Sequence, residues 1–173
     1  ITGPEVVKTV LGEEISIENL GGARVQAEMS GNAHFFAESE QECFEQIKKL
    51  FTYLPTNNRQ KPATIAPKRP KSSYKLETLL PKDSKIPFDV RDIVRALVDD
   101  SDFLEVYELF APNAVIGFAR INGETVGIVC NQALVLAGVL DIDASDKIAR
   151  FIRFCDSFNI PLLTLVDIPG YLP

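Results

Sequence analysis

The stretch that decides the fold is residues 135–173, VLAGVLDIDASDKIARFIRFCDSFNIPLLTLVDIPGYLP. Within it Ile148, Phe151, Ile152 and Cys155 recur at spacings of three and four, with Phe158 one turn on, and predict an amphipathic helix. Asp143 or Ser145 reads as its N-cap, and Asp146 suits the positive end of the helix dipole. Pro161 disfavours helical geometry at Ile160 and ends the helix. LLTLVDI then reads as a buried strand. Immediately upstream, AVIGFARINGETVGIVCN (residues 114–131) sets two β-rich runs around Asn122 and Gly123, a dipeptide that accepts positive φ at both turn positions. The second arm, TVGIVC, is almost wholly apolar, as expected of a strand buried on both faces. Strand, helix and strand at this spacing predict a βαβ unit with parallel strands and a right-handed crossover, hence an α/β fold.

In such sheets ligands bind beyond the carboxyl ends of the strands. Two loops leave there: NQALVLAGV after Cys130, and DIPGYLP after Val166. The amides of Ala137, Gly138 and Val139, with the N-terminus of the following helix, have the makings of an oxyanion hole, and Gly138 would let a ligand approach the backbone. A plain turn before a helix is the competing reading, and the pattern by itself favours it.

Upstream, DVRDIVRALVD predicts a helix with Val90, Ile93, Val94 and Leu97 on one face, and FLEVYELF an extended segment. Residues 55–87 carry Pro55, Pro62, Pro67, Pro70, Pro81 and Pro87 in a basic, polar run that excludes a regular helix or a central strand. So long a connector marks a domain boundary, and its lysines and arginines read as solvated. Before it, Ser39 caps a helix with Glu42 three residues on, and Cys43, Ile47, Leu50, Phe51 and Leu54 form its apolar stripe. SGNAHFFAES reads as a loop entering an extended segment, and SIENLGG as a helical turn stopped by Gly21 and Gly22. The chain opens on a helix start, with Thr2 as cap, Pro4 in the first turn and Glu5 completing a capping box.

The totals exclude several classes. The chain has 173 residues, 46% of them hydrophobic, which is enough for a core. A net charge of -6 argues against a nucleic-acid partner. One histidine and three scattered cysteines make a metal site unexpected, and nothing resembles a disulfide framework. The cysteines fall on apolar faces and read as core residues in a reducing compartment. No apolar run is long enough to span a membrane, and no targeting signal is visible.

The segment GFARINGETVGIVCNQALVLAGVLDIDASDKIARFIRFCDSFNIPLLTLVDIPGYLP resembles the carboxyltransferase (beta) subunit of biotin-dependent acyl-CoA carboxylases of the propionyl-CoA carboxylase type. TGPEVVKTVLGEEI, LGGA, MSGNAHF and YLPTNNR resemble the same family in the same order. The resemblance implies a crotonase-like (ClpP/crotonase) ββα superhelix, here the end of one unit and the start of a second. Residues 1–54 would be the C-terminal part of an N-terminal crotonase-like domain, 55–87 the interdomain connector, and 88–173 the N-terminal part of a C-terminal domain. It implies transfer of a carboxyl group from carboxybiotin, carried on a partner protein, to the α-carbon of a short-chain acyl-CoA such as propionyl-CoA. One oxyanion hole would stabilise the thioester enolate and the other polarise the biotin ureido carbonyl. The partners implied are a biotin carboxylase and biotin carrier subunit, and copies of the chain in a hexamer built from dimers. The location implied is the cytoplasm, or the mitochondrial matrix in a eukaryote. The alpha subunit of a biotin-dependent acyl-CoA decarboxylase and a non-catalytic assembly module are the alternatives.

By this resemblance Ala137, Gly138 and Val139 are the candidate biotin-side amides. Asn131, Gln132, Asp167, Pro169, Gly170, Tyr171 and His34 are candidate lining residues. For His34 a structural hydrogen bond is the competing role, for Asn131 and Gln132 loop-fixing bonds, and for residues 167–171 a tight turn. Asp141 and Asp143 read as caps rather than acid–base groups. The family's hole-forming Gly-Gly and Gly-Ala pairs have no counterpart here, and Gly21, Gly22 and Ala23 belong to a different motif. The expectation is therefore a chain that is inactive alone and exposes sheet edges and apolar faces.

Overall fold

The computed structural model describes residues 2–71, 76–83 and 86–172, so part of the connector (72–75, 84–85) lies outside the described residues. Its frame is a four-stranded sheet in the order β1 (Phe103–Val106), β2 (Ala114–Ile121), β3 (Glu124–Asn131), β4 (Leu162–Leu165). The first three strands run antiparallel to their neighbours, while β4 pairs parallel to β3. The helices are α1 (Pro4–Leu11), α2 (Ile17–Gly21), α3 (Ala23–Glu28), α4 (Glu40–Tyr53), α5 (Leu76–Leu79), α6 (Val90–Leu97) and α7 (Ile142–Ser157). The last of these joins β3 to β4, which is the predicted βαβ unit.

Alternation along β2 and β3 divides the core into two layers. Ile116, Phe118 and Val129 face α4 and α7, packing with Tyr53, Phe151 and Cys155. Val115, Ala119, Ile128 and Cys130 face the other way, onto Val90, Val94 and Val98 at α6. Both faces of β3 are therefore covered, as its apolar sequence requires. The strand β4 departs from expectation. It is the edge of the sheet, so Leu162 stays 40% exposed and the following Val166 72%.

The hairpin turns at Asn122 and Gly123 with φ of 53° and 81°. Here glycine answers two demands, because a Cβ at Gly123 would also lie 2.0 Å from the Ile65 carbonyl oxygen. The connector crosses the hairpin tip at this point. The Ile65 amide donates to the Gly123 carbonyl (3.0 Å), and the carboxylate of buried Asp99 accepts from the amides of Asn122 (3.0 Å), Gly123 (2.7 Å) and Lys68 (3.4 Å). Lys68 and Lys71 pair with Asp100 at 3.1 and 2.7 Å, so these two side chains are exposed but not solely solvated.

Several local expectations are corrected. Gly3 rather than Thr2 stands at the cap of α1, without a side-chain bond, and Pro4 supplies the first turn. The reading of FLEVYELF as extended fails after Val106, where Tyr107 adopts a φ of 57°. The helices α3 and α5 form where no helix was expected; the prolines around α5 flank Leu76–Leu79 rather than interrupt it. Asp141, not Asp143 or Ser145, caps α7 through the Ala144 amide at 2.9 Å. Cys43 is exposed, whereas Cys130 and Cys155 are buried. Among the described residues no helix is long and apolar enough to cross a membrane, and no cluster of His, Cys, Asp or Glu is arranged to hold a metal.

Candidate functional site

The two loops at the carboxyl ends of β3 and β4 are stitched together. Asn131 closes β3, and its side-chain amide donates to the Asp167 carbonyl while its oxygen accepts the Asp167 N–H at 2.9 Å. One asparagine thus satisfies both backbone groups of a residue on the neighbouring loop. A little further on, Leu140 and Tyr171 form an isolated parallel bridge, with the Leu140 amide on the Gly170 carbonyl and the Leu172 amide on the Leu140 carbonyl (3.3 and 2.8 Å). Asn131, Tyr171, Ser145 and Ile152 of α7 and Thr164 of β4 border an apolar concavity of about 350 Å³, floored by Cys130, Leu140, Ile148 and Leu165.

The 136–139 segment is a left-handed turn: Leu136, Ala137 and Gly138 have φ of 49°, 51° and 82°. Gly138 is buried, and its missing side chain makes room for a neighbour rather than for a visitor. A Cβ there would sit 2.7 Å from the Asn131 Nδ2. The amides of Gly138 and Val139 are engaged within the turn, donating to the carbonyls of Val135 (2.9 Å) and Leu136 (3.0 Å). Ala137 is exposed, and its amide has no acceptor among the described residues. The positive end of α7 is already met by the Asp141 carboxylate, which the Ala144 amide and then the Asn113 side chain hold below the usual carboxylate range despite some burial.

The remaining candidates lie apart. Gln132 is buried and turns away from the concavity: its Nε2 donates to Asp89 Oδ1 (2.7 Å) at the N-cap of α6, and its Oε1 accepts from Val90 and Leu134 (both 3.4 Å). Pro169 is exposed in the loop that follows β4, beside Gly170. His34 sits against β1, its Nε2 2.7 Å from the Tyr107 hydroxyl and its carbonyl accepting the Tyr107 amide at 2.9 Å. Partial burial there, followed by the charge of Arg150, lowers the His34 pKa and favours the neutral ring. It borders a different apolar hollow of about 620 Å³, with Phe35, Leu50, Phe118 and Phe154. Burial pushes the thiols of Cys130 and Cys155 up to about 12, which leaves both protonated and unreactive.

Two residues that hold this site carry no motif signal. Asn113, buried in the β1–β2 loop, donates from Nδ2 to the Val139 carbonyl (3.0 Å) and to Asp141 Oδ1 (3.2 Å). Lys147, in the buried stripe of α7, carries a fully buried ammonium. A lysine in an apolar stripe is ordinarily assigned to the solvent side, and only the carbonyls facing it reveal otherwise.

The mixed α/β fold is the crotonase-like fold of the carboxyl transferases it superposes on, and the chain belongs to the carboxyl transferase domain family, which matches residues 1–173. It is 49% identical to the propionyl-CoA carboxylase beta chain of Saccharopolyspora erythraea, and 48% identical to the methylmalonyl-CoA decarboxylase subunit alpha of Veillonella parvula; each match covers 100% of this chain and 34% of the relative. The chain therefore spans about a third of the length of these relatives. Among solved structures, transcarboxylase 12S, a hexamer assembly with methylmalonyl-coenzyme A and methylmalonic acid bound, superposes with a TM-score of 0.94 at 48% identity, over 100% of this chain and 34% of that one. A single-chain, multi-domain long-chain acyl-CoA carboxylase shares the fold with a TM-score of 0.79 at 23% identity, over 99% of this chain and 17% of that one.

Proposed function

We propose that this chain serves the carboxyltransferase step of a biotin-dependent acyl-CoA carboxylase, moving a carboxyl group between carboxybiotin on a partner protein and the α-carbon of a short acyl-CoA, propionyl-CoA foremost. The observation that carries the reading is the similarity, 48% identity over 100% of the chain, to a transcarboxylase whose structure holds methylmalonyl-coenzyme A. Carboxybiotin, when bound, supplies the transferable carboxyl group and the base for the α-proton. Ala137 fits a role beside it, because the residue is exposed and its N–H has no acceptor among the described residues, while those of Gly138 and Val139 maintain the turn. Asn131 and Asp167 fix the spacing of the two loops, and Tyr171 lines the concavity, with Pro169 and Gly170 leading into it. Gln132 anchors the loop to α6, and His34 orders Tyr107.

On this reading residues 1–54 and 88–173 belong to successive crotonase-like units joined by 55–87. The partners are a biotin carboxylase and biotin carrier subunit, together with further copies of the chain in a dimer-built hexamer. The setting is the cytoplasm, or the mitochondrial matrix in a eukaryote. A second reading, the alpha subunit of an acyl-CoA decarboxylase, is favoured by the 48% identity to the Veillonella parvula protein.

The test is carboxyl transfer from methylmalonyl-CoA to free biotin by the full gene product. Carboxybiotin should form with methylmalonyl-CoA, and more slowly with malonyl-CoA. No transfer from either would overturn the proposal. Reconstitution of ATP- and bicarbonate-dependent carboxylation with a biotin carboxylase, against sodium-dependent decarboxylation in a membrane fraction, separates the two readings.

A further inference from the structure

The loop between β1 and β2, residues 107–113, turns sharply, with Tyr107 and Ala111 at φ of 57° and 43°. This path brings four carbonyl oxygens to one point beneath α7. The Lys147 ammonium occupies that point, donating to the carbonyls of Ala114 (2.6 Å), Phe110 (2.7 Å), Tyr107 (2.8 Å) and, more distantly, Ala111 (3.2 Å). Among the described residues no carboxylate pairs with it, and the side chain is 1% exposed. Four converging oxygens repel one another, and a buried carbonyl without a donor is costly. An ammonium with three N–H groups resolves both difficulties; an apolar side chain of similar length would resolve neither.

The same loop ends in Asn113, whose two attachments lead directly to the candidate site. Its backbone oxygen accepts the Gln132 amide at 2.8 Å, and its side chain grips the Val139 carbonyl and the Asp141 cap. Lys147 is thus connected through the seven-residue bend to both ends of the 133–139 loop, the segment that presents the Ala137 amide.

We propose that Lys147 is a positioning residue: by gathering the 107–114 carbonyls it holds Asn113 in place, and through Asn113 it sets the left-handed 136–139 turn. The structural part stands on these contacts; only its consequence for turnover rests on the function proposed above. The Lys147 ammonium is spent on the 107–114 carbonyls, and the turn it sets belongs to the proposed biotin side, so its effect should reach biotin more than acyl-CoA.

The experiment compares amide hydrogen exchange and kinetics in the full-length protein for wild type, Lys147→Met and Asn113→Ala. Exchange in residues 135–141 should quicken about tenfold in both variants, and exchange in 107–114 should quicken in Lys147→Met alone. The KM for free biotin should rise about tenfold or more in both, with the KM for acyl-CoA unchanged. Exchange that quickens in 107–114 while 135–141 stays protected would overturn the proposal, as would an equal rise in both KM values. If Lys147→Met fails to fold, Asn113→Ala leaves the ammonium cluster intact and still decides the matter: protected 135–141 refutes it. Altered exchange with no turnover even in wild type supports the positioning role while removing the functional reading.

Discussion

The helices of residues 2–28 and the helices that clasp the sheet follow the same sequence rules, yet they meet different fates. In α7 the face defined by Ala144, Lys147, Phe151 and Cys155 is buried, and α4 closes with Tyr53 at 1% exposure. In α1 no residue is buried: Val6, Val10 and Leu11 stand 52%, 72% and 66% exposed, and in α2 and beyond Ile17 and Met29 are equally open. Amphipathic periodicity makes a helix, but only an opposing surface makes a core. The sheet offers one to α4, α6 and α7; the described residues offer none to α1.

The largest test of this contrast is Phe151→Ala against Val10→Ala. Phe151 is 4% exposed and packs on Phe118 with ring centroids 5.1 Å apart. Its truncation should cost about 3–5 kcal/mol in urea unfolding. The same treatment of Val10 should stay within about 0.5 kcal/mol. Comparable losses at the two positions would mean that α1 has a partner surface in solution.

A smaller effect is expected where the connector meets the hairpin. Alanine at Gly123 must adopt a φ of 81° and displace the Ile65 carbonyl from its 2.0 Å approach, so Gly123→Ala should destabilise by about 1–3 kcal/mol. Gly170, with nothing within 4 Å of its would-be Cβ, is the control, and Gly170→Ala should change stability by less than about 1 kcal/mol. Equal effects would show that residues 65–69 do not rest on the hairpin.

These particulars mark what could be read from the chain. The βαβ unit was legible because an Asn-Gly turn, an apolar strand and a helical stripe are local signals, each with its own period. The burial of β3 on both faces was legible from the nearly unbroken apolar run TVGIVC. The exposure of β4 was not legible, because LLTLV records a strand's composition and not whether a further strand lies alongside. Gly138 was legible as a special position but not in its purpose, since the close neighbour is Asn131, seven residues back. Lys147 was invisible for the opposite reason: its composition says solvent, and only four carbonyls from a loop more than thirty residues away make burial tolerable. Local patterns are thus read correctly until long-range partners decide the outcome.

The smallest expected effect lies where α4 meets the sheet's end, and it is a pH effect. Asp102 receives Lys49 Nζ at 2.5 Å and the Tyr53 hydroxyl at 2.8 Å. Burial raises its pKa, but the hydrogen bonds from Lys49 and Tyr53 outweigh it, and the carboxyl is held below its ordinary value of 3.8. A depressed carboxyl contributes stability above the unfolded-state value and loses it as pH falls through the folded one. The difference between wild type and Asp102→Asn should therefore be constant from about pH 7 to about pH 5 and shrink below about pH 4. With Asp102 44% exposed, the effect should also weaken as salt is raised. Denaturation midpoints for the two proteins from pH 7 to pH 3 measure it. A gap that persists undiminished to pH 3 would mean that the carboxylate charge contributes nothing, and that α4 is held to the sheet by Tyr53 and its apolar neighbours alone.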